Sequence, residues 1–104
     1  HSKGIAGKNM KILALEIETP NLTPADFAPH LRAEAQHVWD LQQQGLLREA
    51  YFRADLHTAV LVLECEDLAQ AETLTAAFPL VRQGLIHFDL IPLTPYTGLA
   101  RLFA

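Results

Sequence analysis

The chain has 104 residues, half of them hydrophobic, and a formal net charge of −4, which suits one domain rather than two. Its eight Lys and Arg residues form no basic run, so the sequence predicts no nucleic-acid partner and no membrane partner. A single cysteine, Cys65, rules out an intrachain disulfide, and no apolar stretch reaches the ~18 residues of a membrane span, so a cytoplasmic location is expected.

Residues 1–9 show neither helical nor strand periodicity, and we interpret them as an expression-tag or leader remnant. Residues 10–104 are predicted to form a single domain. It opens with a strand over 11–18, because apolar side chains alternate there with a period of two. One face, expected to meet the helices, carries Leu13, Leu15 and Ile17, and the other carries Ile12, Ala14, Glu16 and Glu18.

The first helix is predicted over 24–44. Thr23 is a good N-cap residue and Gly45 is a natural stop. Two strands follow, over 46–53 and 58–64, and they form an antiparallel hairpin because only a few residues join them.

A second helix is predicted over 68–78, with Asp67 as its N-cap. A fourth strand covers 85–91, and an extended tail rich in proline follows it. Alternation on the fourth strand turns Ile86, Phe88 and Leu90 toward the helices, and His87, Asp89 and Ile91 away from them.

The order strand, helix, strand, strand, helix, strand is the ferredoxin-like β-α-β-β-α-β arrangement, an α+β fold with a four-stranded antiparallel sheet. Right-handed crossovers place both helices on one face of the sheet. The other face is then bare, yet the third strand is apolar on both faces, which is typical of a sheet covered twice. We therefore expect a second copy of the chain to cover the bare face and form a homodimer.

Three features of the chain carry a resemblance to a known family: the element order, the segment FPLVRQGLI over 78–86 and the tail PLTPYTG over 92–98. In these features the chain resembles the muconolactone-isomerase-like and YciI-like proteins of the dimeric α+β barrel superfamily. The resemblance extends over essentially all of residues 10–104. It implies a dimeric α+β barrel, in which two sheets pack face to face. The superfamily includes isomerases among several activities, so the fold alone does not fix the function. The YciI-like pattern pairs a His near the first strand with a later Asp. Here the first strand offers Glu16 and Glu18 instead, so that pair is not carried over.

The candidate site is a polar cluster expected on the bare sheet face. His87 and Asp89 lie two residues apart on one strand, so they share a face, and the carboxylate would orient the imidazole as a general base. Glu16 is expected on that face as well, which makes these three the predicted catalytic residues. Arg53 and Tyr51 of the second strand are predicted to bind a substrate carboxylate. The alternative is that these charges pair across the dimer or lie in water at the strand ends.

Two arrangements are possible for the side chains of the second strand. In the first, Glu49, Tyr51 and Arg53 turn toward the bare face and join the cluster. A shift of register by one residue would put Arg48 and Phe52 there instead.

A second cluster lies on the first helix, where His30, Glu34 and His37 follow at i, i+4 and i+7 and therefore share one flank. Two imidazoles and one carboxylate are suitable ligands for zinc, iron or manganese. This flank lies at the edge of the apolar stripe, which is usually solvated, and the spacing lacks the tight His-Glu-x-x-His arrangement. We therefore predict no metal and no other cofactor.

Two functions are compatible with these patterns. The first is a cofactor-independent isomerase that acts on a small anionic molecule in a pocket between sheet and helices, since proton transfer beside a carboxylate is the chemistry of lactone isomerisation. The alternative is a non-catalytic homodimer that binds a small ligand or serves as an interaction module. It is favoured by the lack of a phosphate loop, a nucleophile elbow or a Cys-x-x-Cys motif.

Overall fold

The structure, a computed structural model, describes residues 9–104, so the predicted leader remnant lies outside the described residues except for Asn9. The strands are β1 (Met10–Glu18), β2 (Leu47–Phe52), β3 (Ala59–Cys65) and β4 (Ile86–Leu93). The helices are α1 (Pro24–Phe27), α2 (Leu31–Gln43), α3 (Leu68–Ala76) and α4 (Pro79–Arg82), with 3₁₀ helices over Ala28–His30 and Gly98–Phe103.

The four strands form one sheet in the order β2-β3-β1-β4, and each neighbouring pair is antiparallel. β1 and β3 are therefore central strands, and β2 and β4 are edges. The longer helices α2 and α3 both pack against the same face of this sheet. The predicted α+β class and ferredoxin-like order are confirmed.

The first helical segment is interrupted, whereas one continuous helix over 24–44 was predicted. It begins with a capping interaction, in which the backbone N–H of Thr23 donates to Asp26 Oδ2 at 2.7 Å. Pro29 lies in the 3₁₀ turn that separates α1 from α2. Proline has no N–H and its ring clashes with the carbonyl four residues earlier, so a straight helix is disfavoured at this point. Within residues 9–104 no helix has both the length and the apolar composition needed to cross a bilayer.

α2 ends at a glycine, as predicted. Gly45 has a φ of +76°, and its N–H donates to the carbonyl of Gln42 at 3.1 Å. The next N–H, from Leu46, donates to the carbonyl of Leu41 at 3.0 Å. These two hydrogen bonds define a Schellman motif, which directs the chain from the helix into β2.

The hydrophobic core lies between the helices and the sheet. Ile12, Ala14 and Leu63 have no exposed surface, and Phe78 is 1% exposed. The predicted face of β1 is therefore wrong, because Ile12 and Ala14 were expected to turn away from the helices. β1 is apolar on both faces, so its alternation defines two faces without indicating which one the helices cover.

The face of the sheet opposite the helices is uncovered, and it is apolar along the middle of the two central strands. Residues directly opposite each other on neighbouring strands point to the same side, and Leu13 lies opposite Val62 on β3 and Ile91 on β4. Leu15 and Ile17 share that side, and Ile17 and Ile91 are each about 40% exposed. No helix within residues 9–104 packs on it. We call this surface the open face; its apolar part is Leu13, Leu15, Ile17, Val60, Val62 and Ile91.

The tail differs from the extended conformation that was predicted. Residues Gly98–Phe103 form a 3₁₀ helix. Its apolar side chains are uncovered, with Leu102 and Phe103 exposed by 74% and 86%.

Candidate active site

A cavity of about 710 Å³ lies between the sheet and the α1–α2 segment. Its floor is the helix-facing side of the sheet, with Glu16 of β1, Leu61 of β3 and Phe88 of β4. Its volume falls within the roughly 300–1,000 Å³ of most small-molecule sites. A pocket between sheet and helices was predicted for the isomerase, and the structure contains a cavity at this location.

The apolar stripe of the first helical segment borders the cavity. Phe27, Leu31, Ala35 and Val38 follow one another at helical spacing, and all four line it. Leu41, one turn further along α2, belongs to the core and is 3% exposed. The segment is therefore anchored to the sheet at the end of α2 and leaves a space toward α1.

Glu16 projects into this cavity and not onto the open face. Directly opposite it on β4 lies Phe88, which is a helix-facing residue, and the neighbouring His87 and Asp89 point the other way. Glu16 Oε1 accepts a hydrogen bond from the backbone N–H of Ala59 at 2.8 Å. Burial raises the pKa of the Glu16 carboxyl, and the nearby charge of Glu18 raises it further; the Ala59 hydrogen bond and His57 act in the opposite direction.

Glu34, on α2, is the second half-buried carboxylate of the cavity. Its Oε1 accepts a hydrogen bond from the backbone N–H of Leu80 at 3.0 Å. Burial raises the pKa of the Glu34 carboxyl, the Leu80 hydrogen bond lowers it, and repulsion from Glu16 raises it again. Within residues 9–104 neither carboxylate has a hydrogen-bond partner on its Oε2 atom. Each therefore keeps one oxygen fixed and one available to a ligand.

No protein-family model matches the chain, and no curated protein matches it. The resemblance to muconolactone-isomerase-like and YciI-like proteins therefore stays a prediction.

His57 lies at the rim of the cavity, in the turn between β2 and β3. It has a φ of +56°, and its ring stacks on Phe52 with centroids 4.4 Å apart and planes 17° apart. The backbone N–H of His57 donates to the carbonyl of Arg53 at 2.8 Å. The turn thereby holds an imidazole beside an aromatic wall of the cavity and within electrostatic reach of Glu16.

His87 and Asp89 do lie together on the side of the sheet away from the helices, as predicted. Nε2 of His87 is 3.7 Å from Oδ1 of Asp89, and both side chains are more than 60% exposed. Because β4 is an edge strand, they also border a second groove of about 380 Å³ that is lined by both β4 and α3. The predicted catalytic group of three is not assembled, because Glu16 lies on the opposite side of the sheet.

Arg53 and Tyr51, the predicted substrate-binding residues, have partners of their own. Nε and Nη2 of Arg53 donate to the two carboxylate oxygens of Asp55 at 2.9 and 2.7 Å, and this pairing lowers the pKa of Asp55. Arg53 does not line the cavity. Tyr51, opposite Val60 on the open-face side of β2, reaches the cavity rim, and its hydroxyl donates to Glu49 Oε1 at 2.6 Å.

The possible metal ligands of the first helix are separated by their contacts. The His37 ring packs edge-on against Phe78, with centroids 4.4 Å apart, while Glu34 turns toward Leu80. His30 lies in the 3₁₀ turn before α2. Within residues 9–104, no group of three or more His, Cys, Asp or Glu side chains is arranged to hold a metal ion.

Glu34 was not predicted to be a cavity residue, although the sequence contains a signal for it. Glu34 lies three residues after Leu31 and four before Val38, which is inside the apolar stripe and not on a solvated flank. A carboxylate inside such a stripe is costly to bury unless it has a partner or a function. His57 gave no comparable signal, because a turn residue has no periodicity.

Proposed function

We propose that the protein is an enzyme that moves a proton between two positions of a small, uncharged molecule bound in the cavity. The observation that carries this proposal is the pair of half-buried carboxylates, Glu16 and Glu34, in one largely apolar cavity. Burial raises the pKa of both, which brings a carboxyl group closer to the range where it exchanges protons near neutral pH. Repulsion from Glu16 adds to the raised pKa of Glu34, and the proposal assigns one carboxyl of the pair as ionised and the other as protonated.

The reaction needs no group beyond these two side chains. The ionised carboxylate removes a proton from the carbon beside a carbonyl, while the protonated carboxyl donates a hydrogen bond to the carbonyl oxygen as negative charge develops there. The proton then returns to a different carbon of the conjugated enolate. The product is an isomer of the substrate, so no oxidant or reductant is consumed.

The charge of the cavity favours an uncharged substrate over the anionic one predicted from the sequence. Among the described residues that line it there are three glutamates and no Lys or Arg. An anion would meet repulsion from Glu16 and Glu34, and Arg53 is paired with Asp55 outside the cavity. A neutral carbonyl compound can reach the carboxylates without this cost.

The test is isomerisation of α-angelica lactone, an uncharged β,γ-unsaturated lactone, followed by ¹H NMR in D₂O. Wild-type protein is expected to accelerate both the shift of the double bond and the incorporation of deuterium. Glu16→Gln and Glu34→Gln should each lower the rate by about 10²–10⁴-fold, the usual contribution of general acid–base catalysis. Muconolactone, which carries a carboxylate, should react more slowly than the neutral lactone.

Two control variants separate the proposed site from the predicted one. Glu66→Gln changes an exposed carboxylate that does not line the cavity and should retain most of the rate. His87→Ala, on the other side of the sheet, should also retain it. If His87→Ala abolishes turnover while Glu16→Gln does not, the cavity is not the active site. If wild-type protein leaves the lactone unchanged at every pH, the alternative of a non-catalytic ligand-binding protein is favoured.

We also propose that the protein is a homodimer in which the open faces of two copies pack against each other. The support is the apolar character of that face, which includes Leu13, Leu15 and Val62 from central strands. A sheet face of this composition is rarely left in water. The uncovered 3₁₀ helix Gly98–Phe103 provides further apolar surface for the same partner.

A further inference from the structure

The walls of the cavity are unusually rich in aromatic rings. Four of the five phenylalanines of the chain line it: Phe27, Phe52, Phe78 and Phe88. They come from α1, β2, the segment before α4, and β4, so the rings converge from different elements and do not follow from one helical stripe. Such a concentration of rings favours a ligand that is itself flat, because aromatic pairs prefer stacked and edge-on contacts.

The rings form one rigid wall and one exposed wall. Phe78 is 1% exposed, and it packs against Phe88 with ring centroids 5.2 Å apart and planes inclined by 56°. On the other side, Phe52 is 64% exposed and stacks on His57. Rings of both pairs line the same cavity, so a flat ligand bound there has aromatic surfaces from each pair to contact.

The half-buried polar side chains inside this aromatic space are Glu16 and Glu34, and an ionised carboxylate only accepts hydrogen bonds, whereas Thr23, Tyr51 and His57 are exposed at its edge. Each of Glu16 and Glu34 has one oxygen held by a backbone N–H, so the other can accept a hydrogen bond from the ligand. A hydroxyl group on the ligand satisfies such an oxygen, whereas an ether cannot donate and a carboxylate is repelled. The volume of about 710 Å³ accommodates more than a single ring.

We propose that the cavity binds an uncharged, planar, conjugated molecule of two or three fused rings whose hydroxyl group donates a hydrogen bond to Glu16 or Glu34. This assignment rests on the proposed function of the same cavity and names the class of its substrate. The enol form of a fused-ring ketone has this shape and this donor. It is the species that proton transfer beside a ring carbonyl produces.

Binding of three matched probes to the wild-type protein tests the assignment: 2-naphthol, 2-methoxynaphthalene and 2-naphthoate. They share one ring system and differ in the donor and the charge. At pH 7, titrations followed by ligand-observed NMR or calorimetry should give at least tenfold tighter binding of 2-naphthol than of either other probe. Equal or tighter binding of 2-naphthoate would overturn the proposal, as would equal binding of the methyl ether.

Variants locate the binding site and weaken its preference for the uncharged probe. Ala35→Phe adds a ring to the cavity wall and should reduce 2-naphthol binding at least tenfold, whereas His87→Ala on the other side of the sheet should not change it. The double variant Glu16→Gln/Glu34→Gln should narrow the gap between 2-naphthol and 2-naphthoate, with circular dichroism confirming that it is folded. An unchanged gap would contradict the role of the two carboxylates.

The outcome is independent of the lactone assay. If 2-naphthol binds selectively but no lactone is isomerised, the ligand class stands and the proposed catalysis fails. If the lactone is isomerised but 2-naphthol does not bind, the catalysis stands and the ligand class is wrong.

Discussion

Glu16 and Glu34 each bind a backbone N–H that belongs to another element. Glu16 connects β1 to the start of β3 through Ala59, and Glu34 connects α2 to α4 through Leu80. A hydrogen bond to an ionised acceptor is stronger than a neutral one, but two half-buried carboxylates that repel each other remain costly. This arrangement stabilises the fold less than a neutral pair would, and it maintains two groups able to exchange protons.

These two carboxylates should make stability decrease as the pH rises. Their pKa values are raised above the ordinary value of 4.5, so the folded protein retains protons that the unfolded chain has already released. Their stabilising contribution is therefore complete below pH 4.5 and is lost as the pH rises through the folded pKa. The double variant Glu16→Gln/Glu34→Gln has no carboxyl to deprotonate at these positions, so it does not lose this stabilisation as the pH rises. Urea unfolding at intervals from pH 4 to 8 should show the variant gaining stability relative to wild type as the pH increases.

Asp55 supplies a control of opposite sign. The hydrogen bonds from Arg53 lower the pKa of Asp55 below its ordinary 3.8, so its contribution is present above pH 3.8 and is lost as the pH falls through the folded pKa. Between pH 4.5 and 8 the difference between Asp55→Asn and wild type should therefore be nearly constant. A constant difference for Glu16→Gln/Glu34→Gln over the same range would contradict the assignment of these two groups as buried proton carriers.

At the scale of elements, the two halves of the fold use the same device to turn a helix into a strand. α4 is terminated by Gly84, the residue after its C-cap Gln83, whose φ is +75°. The N–H of Gly84 donates to the carbonyl of Val81, and the N–H of Leu85 donates to the carbonyl of Leu80, both at 3.0 Å. This is the Schellman motif also found at the end of α2. β2 and β4 are thus introduced by the same local geometry.

Gly84→Ala should destabilise the protein by about 1 kcal/mol, because an L-residue is strained at a positive φ. No atom lies within 4 Å of the position that the added Cβ would occupy, so the effect is conformational and not a steric clash. Gly84→Asn should cost less, since asparagine tolerates the left-handed region better. Thermal and urea unfolding of the three proteins would check this order. An alanine variant as stable as wild type would show that the φ at Gly84 is not required.

The fold was largely predictable because its boundaries are set by local chemistry. Asp67 receives a hydrogen bond from the N–H of Gln70 at 2.8 Å as an N-cap does, and Gly45 adopts the conformation that only glycine favours. Alternation also identified the helix-facing residues of β4, such as Ile86. For β2 the first of the two predicted arrangements is correct, since Glu49 and Tyr51 lie opposite Val62 and Val60.

The site was less predictable, because a cavity forms where a helix and the sheet do not contact each other. Sequence patterns report which side chains alternate, but both faces of β1 are apolar, and the acidic residue was assigned to the wrong face. Glu34 was predicted to lie on a solvated flank because it was interpreted, with His30 and His37, as part of the edge of the apolar stripe. The space that separates Leu31 from the sheet results from tertiary geometry and leaves no periodic signal.

At the scale of the whole molecule, the sheet separates the two proposed functions. The cavity is on the helix side, and the proposed dimer interface is on the open face. Neighbouring side chains of β1 point to opposite faces of the sheet: Glu16 lies in the cavity, and Leu15 and Ile17 lie on the open face. A substitution on one side can therefore be chosen so that its side chain does not enter the other.

The dimer is tested by placing a charge at the centre of the open face. Wild-type protein should have the mass of two chains in light scattering at micromolar concentration. Leu15→Glu should have the mass of one chain, because a carboxylate buried in an apolar interface without a partner is strongly unfavourable. Ala33→Glu, at an exposed position of α2, should remain dimeric. A wild-type protein that is monomeric throughout this range would refute the proposed assembly.

The central position of β1 has a consequence for how the cavity moves. β1 is hydrogen-bonded to β3 on one side and β4 on the other, whereas β2 is an edge. Local opening requires the least free energy at edges and loops and the most at central strands. The wall formed by Phe52 and the His57 turn can therefore fray and admit a ligand while the Glu16 backbone stays protected from amide exchange. The carboxylate that we propose transfers the proton thus lies on a central strand, and the expected point of ligand entry lies beside an edge strand.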